Sequence, residues 1–160
     1  MTPKINVGLL GAGRIGRVHA ENLAYRIPAA NLVAVADVFL EAAQKCAADY
    51  QIPTVTQNPQ DIFNNDEIDA VIICSSTDTH AQFISDAANA DKHIFCEKPI
   101  ALDLTVIDQA LADVERSGVK LQLGFNRRFD PHFKAAREMV AAQHRPHHLP
   151  RPGSTSEFLH

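Results

Sequence analysis

The apolar run INVGLL, residues 5–10, passes directly into GAGRIG, Gly11 to Gly16, and then into the helical stretch RIGRVHAENLAYR. No other feature of the chain constrains the fold as tightly. A strand that turns at once into a helix needs one glycine for the turn. It needs a second where backbone must approach a partner closely, and a third where helix packs on strand. Glycines stand at 11, 13 and 16. The helix that follows opens with free backbone N–H groups, which favour an anion such as a pyrophosphate. Gly11, Gly13, Arg14, Ile15 and Gly16 are therefore the first candidates for holding a dinucleotide.

The remainder of the chain alternates. Apolar, β-branched runs at KINVGLL, NLVAVAD, DAVIICS, KHIFC and VKLQLGF are separated by helical patterns. Continuously apolar strands joined by helices predict a parallel sheet covered on both faces, a doubly wound α/β fold of Rossmann type with ligand sites at the carboxyl ends of the strands. The pattern over 103–117 predicts a crossover helix. Leu104, Ile107, Leu111 and Val114 form its apolar stripe, Asp103 caps its start and Gly118 stops it.

Candidate site residues collect where those strands end. Asp37 closes NLVAVAD 21 residues past Gly16, near the spacing at which a carboxylate accepts hydrogen bonds from an adenosine ribose. A carboxylate there repels a 2′-phosphate and no Lys or Arg follows in VFLEAAQ, so the expected cofactor is NAD; the alternative is that Asp37 only caps the next helix. After DAVIIC, the hydroxyls of Ser75, Ser76 and Thr77 either line the cofactor or belong to a helix start capped by Asp78 or Thr79. His80 reads as a cofactor-site residue or as a surface or capping histidine. Lys98 precedes Pro99, whose ring forces extended backbone on the lysine at a strand's end. It is either chemical or a solvated turn residue beside Glu97.

Taken in order, GAGRIG, the strand-end aspartate, SSTDTHA, KHIFCEKPIALDL and GVKLQLGFNRRFDPHF resemble the N-terminal half of the Gfo/Idh/MocA oxidoreductase family over about residues 3–142. The EKP tripeptide and GFNRRFDP are more specific to that family than the glycine motif. The resemblance implies NAD as cofactor and hydride transfer from a secondary alcohol of a polyol or sugar such as inositol. It places Lys98 beside both nicotinamide and substrate as the catalytic residue, with Pro99 following it, commonly through a cis bond. Glu97 and Asn126 would face the cofactor, Arg127 the substrate, and Arg128 would be structural. Hydride removal from an alcohol needs a base for the hydroxyl proton and a cation for the developing alkoxide, and a lysine suits the second role.

Composition sets limits. Fifteen Lys and Arg against 19 Asp and Glu, a formal charge of −4, provide no basic face for nucleic acid. No run approaches a membrane span or a signal-peptide core, so a cytoplasmic protein is expected. Cys46, Cys74 and Cys96 are expected to be buried free thiols, with no metal site.

The expected division is a dinucleotide domain over 1–125, a connecting segment and helix over 126–142, and an irregular tail over 143–160. The tail holds four of the eight histidines and three of the nine prolines. It departs from the family, whose second, mostly β domain supplies further substrate contacts and usually the oligomer interface. It reads as a truncated or out-of-frame end, so that the chain binds NAD but is catalytically incomplete, while a full-length parent would be a homo-oligomer. The competing reading is a stand-alone nucleotide-binding module.

Overall fold

A computed structural model describes residues 3–143. The chain divides into two compact units, the first ending at Gly124 and the second starting at Phe125. The expected tail, and with it the histidine cluster at 144–148, lies outside the described residues apart from the backbone of Gln143.

In the first unit β1 (Ile5–Leu10) leads into α1 (Arg14–Tyr25) and β2 (Ala30–Ala36) into α2 (Leu40–Tyr50). Next, β3 (Thr54–Thr56) leads into a short α3 (Gln60–Phe63), β4 (Ala70–Ile73) into α4 (Thr77–Asn89), and β5 (His93–Cys96) into α5 (Leu104–Ser117), before β6 (Leu121–Leu123). All strands are parallel, in the order β3-β2-β1-β4-β5-β6. This is the doubly wound Rossmann arrangement expected from the alternation. The strand β3 was not among the apolar runs: Thr-Val-Thr is three residues long and lies at the sheet edge, where exposure relaxes the demand for apolar side chains.

Successive side chains of a strand point to opposite faces, and β1 shows the result. Leu9 joins Val35, Ala20, Ala43 and Cys46 under α1 and α2. Leu10 joins Val71, Ile73, Ile84 and Ile94 on the face covered by α3, α4 and α5. Each such aliphatic residue, taken from water, contributes about 1.5–3 kcal/mol. At the far end, Lys92 is only 4% exposed; its Nζ donates to the carbonyls of Asn65 (2.8 Å) and Ile68 (2.9 Å), tying the approach to β5 to the approach to β4.

The crossover helix α5 starts and stops where the sequence predicts. Asp103 accepts from the N–H of Thr105 at 2.7 Å and of Val106 at 3.4 Å, and Gly118 ends the helix in the left-handed region at φ 74°. Its buried face differs from the expected stripe. Leu104 and Leu111 are exposed, while Ala110 and Asp113 are buried between the half-buried Ile107 and Val114. The reason is the neighbour: α5 lies against α4, whose inner surface carries Ala81, Ala87 and Ala88. Helices meeting at close range bury small residues.

The second unit holds a 3-10 turn (Asn126–Phe129) and α6 (Pro131–Gln143). Asp130 begins α6 by accepting from the N–H of His132 at 2.8 Å, with Pro131 in the first helical position. No helix among the described residues is long and apolar enough to cross a membrane.

Candidate functional site

Strand order reverses between β1 and β4, so the turns that follow them diverge to opposite faces and leave a crevice at their carboxyl ends. The glycine turn forms one wall. Gly11 has φ +98°, and a Cβ there would lie 2.6 Å from the backbone of Cys74. A Cβ on Gly16 would lie 1.9 Å from the Gly11 carbonyl oxygen. Both are glycine because the fold leaves no room. Gly13 is different: its φ of −68° suits any residue, and a Cβ there would meet nothing within 4 Å. Nothing in the protein itself requires a glycine at 13. The space is explained if a ligand needs to touch this backbone.

Gly13 is also the N-cap of α1, which has no side-chain cap and no acidic residue in its first turn. Its leading amides, at Arg14, Ile15 and Gly16, are left to an external anion. Arg14 and Ile15 are exposed beside them, and Gly16 is buried behind the turn.

Asp37 stands across from this helix end. Its Oδ2 accepts from the N–H of Ala12 at 2.7 Å and its Oδ1 from that of Phe39 at 2.9 Å. The carboxylate is thus locked to the glycine turn instead of capping α2, whose N-cap is Phe39. A carboxylate offers about four acceptor positions, so two remain for ribose hydroxyls.

The opposite wall is the β4–α4 loop. Ser75 and Thr79 hydroxyls lie 2.7 Å apart and Thr79 donates to the Ser76 carbonyl at 2.8 Å, so the Ser75 hydroxyl donates to Thr79. The helix starts earlier than the sequence suggests, with Ser76 as N-cap and Thr77 as first residue, so Asp78 and Thr79 lie inside it. Together the walls enclose a cleft of about 380 Å³ lined by Gly11, Gly13, Asp37, Ser75, Ser76 and Thr79. Thr77 follows Ser76 as the first residue of α4 and is half-buried. A glycine cradle with room at Gly13, open helix amides and a ribose-type carboxylate fit a dinucleotide.

His80 is not on that surface. It is 2% exposed, with Nδ1 at 2.7 Å from the Pro99 carbonyl and Nε2 at 3.0 Å from the Ser75 carbonyl. It has no nitrogen left for a cofactor, which corrects its reading as a cofactor contact and equally as a surface histidine.

Lys98 ends up on the turn after β5, preceded by Glu97, whose N–H donates to the Ile73 carbonyl at 2.9 Å. The Lys98–Pro99 bond is cis. Lys98 and Pro99 are exposed, Ile100 is buried, and the lysine has no ion-pair partner among the described residues. Glu97 is held from two sides. His19 Nε2 lies 2.9 Å from Oε1, and a Cβ on Gly124 would lie 2.9 Å from Oε2. The His19 ring rests against Phe95, with centroids 5.0 Å apart.

The sequence reading passed over His19. It sits three residues past Gly16 on the same side of α1 as the buried Gly16, Ala20 and Leu23, and a polar ring on an inward face requires a partner. That was the available signal.

The cysteines are free, Cys46 and Cys96 buried and Cys74 half-buried. Burial, helped by the negative charge of Glu97, pushes the Cys96 thiol up to about 12 and raises Cys74 as well. Neither is a ready nucleophile at neutral pH. Asn126 and Arg127 belong to the second unit. They are exposed on the 3-10 turn, with the Arg127 guanidinium 4.8 Å over the Phe133 ring, instead of ending a strand.

Residues 5–125 match the oxidoreductase family GFO_IDH_MocA, described as an NAD-binding Rossmann fold. The chain belongs to this family. Its fold is therefore an NAD-binding one, as the cleft indicates. Among relatives, it is 46% identical over 140 residues to the uncharacterized oxidoreductase YrbE of Bacillus subtilis (strain 168), covering 88% of this chain and 41% of that protein. It is 48% identical over 136 residues to the inositol 2-dehydrogenase of Rhizobium meliloti (strain 1021), covering 85% and 40%. Among solved structures, scyllo-inositol dehydrogenase from Lactobacillus casei with bound NAD(H) and scyllo-inositol superposes with a TM-score of 0.81 at 36% identity, over 87% of this chain and 41% of that one. The chain thus spans about two fifths of the length of the relatives it matches.

Proposed function

We propose that this chain is the cofactor-binding part of an NAD-dependent dehydrogenase that oxidises a secondary alcohol of a polyol, with inositol the leading candidate. The observation that carries the reading is the vacant space at Gly13, set at an uncapped helix start and facing Asp37 across the cleft. NAD supplies the hydride acceptor when bound. The chain's amides at 14–16 hold the pyrophosphate, and Asp37 holds the adenosine ribose and disfavours a 2′-phosphate. Ser75, Ser76 and Thr77 line the opposite wall. Lys98, an ammonium on the β5 turn with no ion-pair partner among the described residues, stabilises the alkoxide that develops as a base takes the hydroxyl proton, with Glu97 facing the cofactor beside it. Asn126 and Arg127 are assigned to cofactor and substrate contact. The polyol class is supported by the inositol dehydrogenases among the relatives. The 160-residue chain is expected to bind NAD with little or no turnover of inositol.

The test is a fluorescence titration of NADH into the wild-type chain and Gly13→Ala, with NADPH as comparison. Alanine has no clash at 13, and its poorer capping (about 0.5–1 kcal/mol) is offset by a stiffer unfolded chain. The variant should therefore melt close to wild type while losing NADH affinity by roughly tenfold or more. NADPH should bind the wild type at least about tenfold more weakly than NADH. Equal affinity of wild type and variant, or NADPH binding as tight as NADH, overturns the corresponding assignment.

A further inference from the structure

His80 carries two buried contacts that the reading above does not use. Both partners, the carbonyls of Pro99 at 2.7 Å and Ser75 at 3.0 Å, are backbone oxygens that only accept. Which ring nitrogen donates is set by the tautomer, and in either tautomer the ring is wedged between the two carbonyl oxygens and hydrogen-bonded to one of them.

The two carbonyls belong to different strands' turns. Ser75 lines the cofactor cleft after β4. Pro99 directly follows Lys98 after β5, and has no N–H of its own with which to anchor that turn. On the near side of Lys98 the turn is fixed by the Glu97 N–H on the Ile73 carbonyl. On the far side it is fixed by His80. Lys98 therefore stands between two anchors, and the second also holds the cofactor loop.

We propose that His80 is a positioning residue for Lys98: a buried ring that ties the Lys98–Pro99 turn to the Ser75 loop, so that the lysine and the cofactor wall hold one geometry. This rests on the reading that the cleft takes NAD and that Lys98 faces its nicotinamide end. The charged groups on the elements His80 joins are Asp78 and Asp86 on its own helix and Glu97 and Lys98 on the turn.

One measurement on the 160-residue chain tests the clamp without cofactor. In His80→Leu, which keeps bulk but has no donor, amide exchange at Lys98, Ile100 and Ala101 should quicken by roughly tenfold, about the worth of one hydrogen bond, while β1 amides keep their protection. Unchanged exchange there overturns the clamp. A second measurement reads its consequence. His80→Leu should weaken NADH by about tenfold and ADP-ribose, which lacks nicotinamide, by less than about threefold; equal losses overturn the positioning role. If the wild type binds neither ligand, it is the proposed function that fails, and the exchange measurement still decides the clamp.

Discussion

Helices α1 and α5 leave the same edge of the sheet and begin in opposite ways. At α5 the Asp103 carboxylate takes the amides of Thr105 and Val106, and the helix end is closed by its own sequence. At α1 the N-cap is Gly13, no side chain reaches back, and the amides stay open. An isolated helix gains from closure, by about 1 kcal/mol for a good cap. The chain forgoes that at the one helix start set against the Asp37 carboxylate and the crevice between β1 and β4. An uncapped start alone does not mark the site, because α2, α3 and α4 also begin without a side-chain cap hydrogen bond. Those three carry an acidic residue in the first turn, Glu41, Asp61 and Asp78, whereas α1 carries none and has a vacant Cβ position at its N-cap, which is what an anion-binding turn needs.

The largest expected effect comes from breaking the open end at its foundation. Gly16→Ala puts a Cβ 1.9 Å from the Gly11 carbonyl, and that atom is backbone that cannot swing aside. Either α1 lifts off β1 or the turn deforms, at a cost of roughly 3 kcal/mol or more. Urea denaturation should show this as a large fall in midpoint. A loss under about 1 kcal/mol would mean that the packing of α1 on β1 is looser than described.

Closing the open end sharpens the comparison further. Gly13→Asp gives α1 the cap that α5 already has. It should raise stability by a few tenths of a kcal/mol, through capping and favourable interaction with the helix dipole. It should also lower NADH affinity by about a hundredfold or more, because a carboxylate then occupies the anion's place. A rise in melting temperature coupled to lost binding is the signature of a helix end kept open for a ligand. Retained binding would show that the amides of α1 do not hold the pyrophosphate.

The fold was legible where chemistry repeats along the chain. Strands buried on both faces must be apolar throughout, so β1, β2, β4 and β5 announced themselves. The edge strand β3, Thr54–Thr56, faces no such demand and did not. The face of α5 was misread because periodicity weighs large residues, whereas the contact with α4 selects Ala110 and the hydrogen-bonded Asp113. Gly11 and Gly16 were legible as glycines because crowding against Cys74 and the Gly11 carbonyl dictates them; Gly13 and Asp37 were legible only from motif spacing, since no contact of the protein requires glycine at 13. In sequence, His80 stands between a site and a surface reading and His19 passes unnoticed, since what decides them is a tertiary partner: the carbonyls of Ser75 and Pro99 for one, the Glu97 carboxylate for the other. Pro99 and Glu97 lie on the turn after β5, distant along the chain, and one sequence gives no sign of which turns meet.

Opening the closed end is the mildest test. Asp103→Ala removes two bonds to α5 amides, and the exposed helix start can turn to water for replacement. The loss should be about 1 kcal/mol, read as a fall of roughly 3–5 °C in melting temperature for a unit of this size. NADH affinity should stay within about twofold, because Asp103 is exposed at a helix start and does not line the cleft. The same type of cap therefore has opposite consequences at the two helices: removed from α5 it costs stability and spares binding, and added to α1 it gains stability and abolishes binding. If Asp103→Ala weakened NADH strongly while the melting temperature held, α5 would have to be counted with the site. The Lys98 turn that precedes it would then be coupled to the cofactor through the helix start as well as through His80.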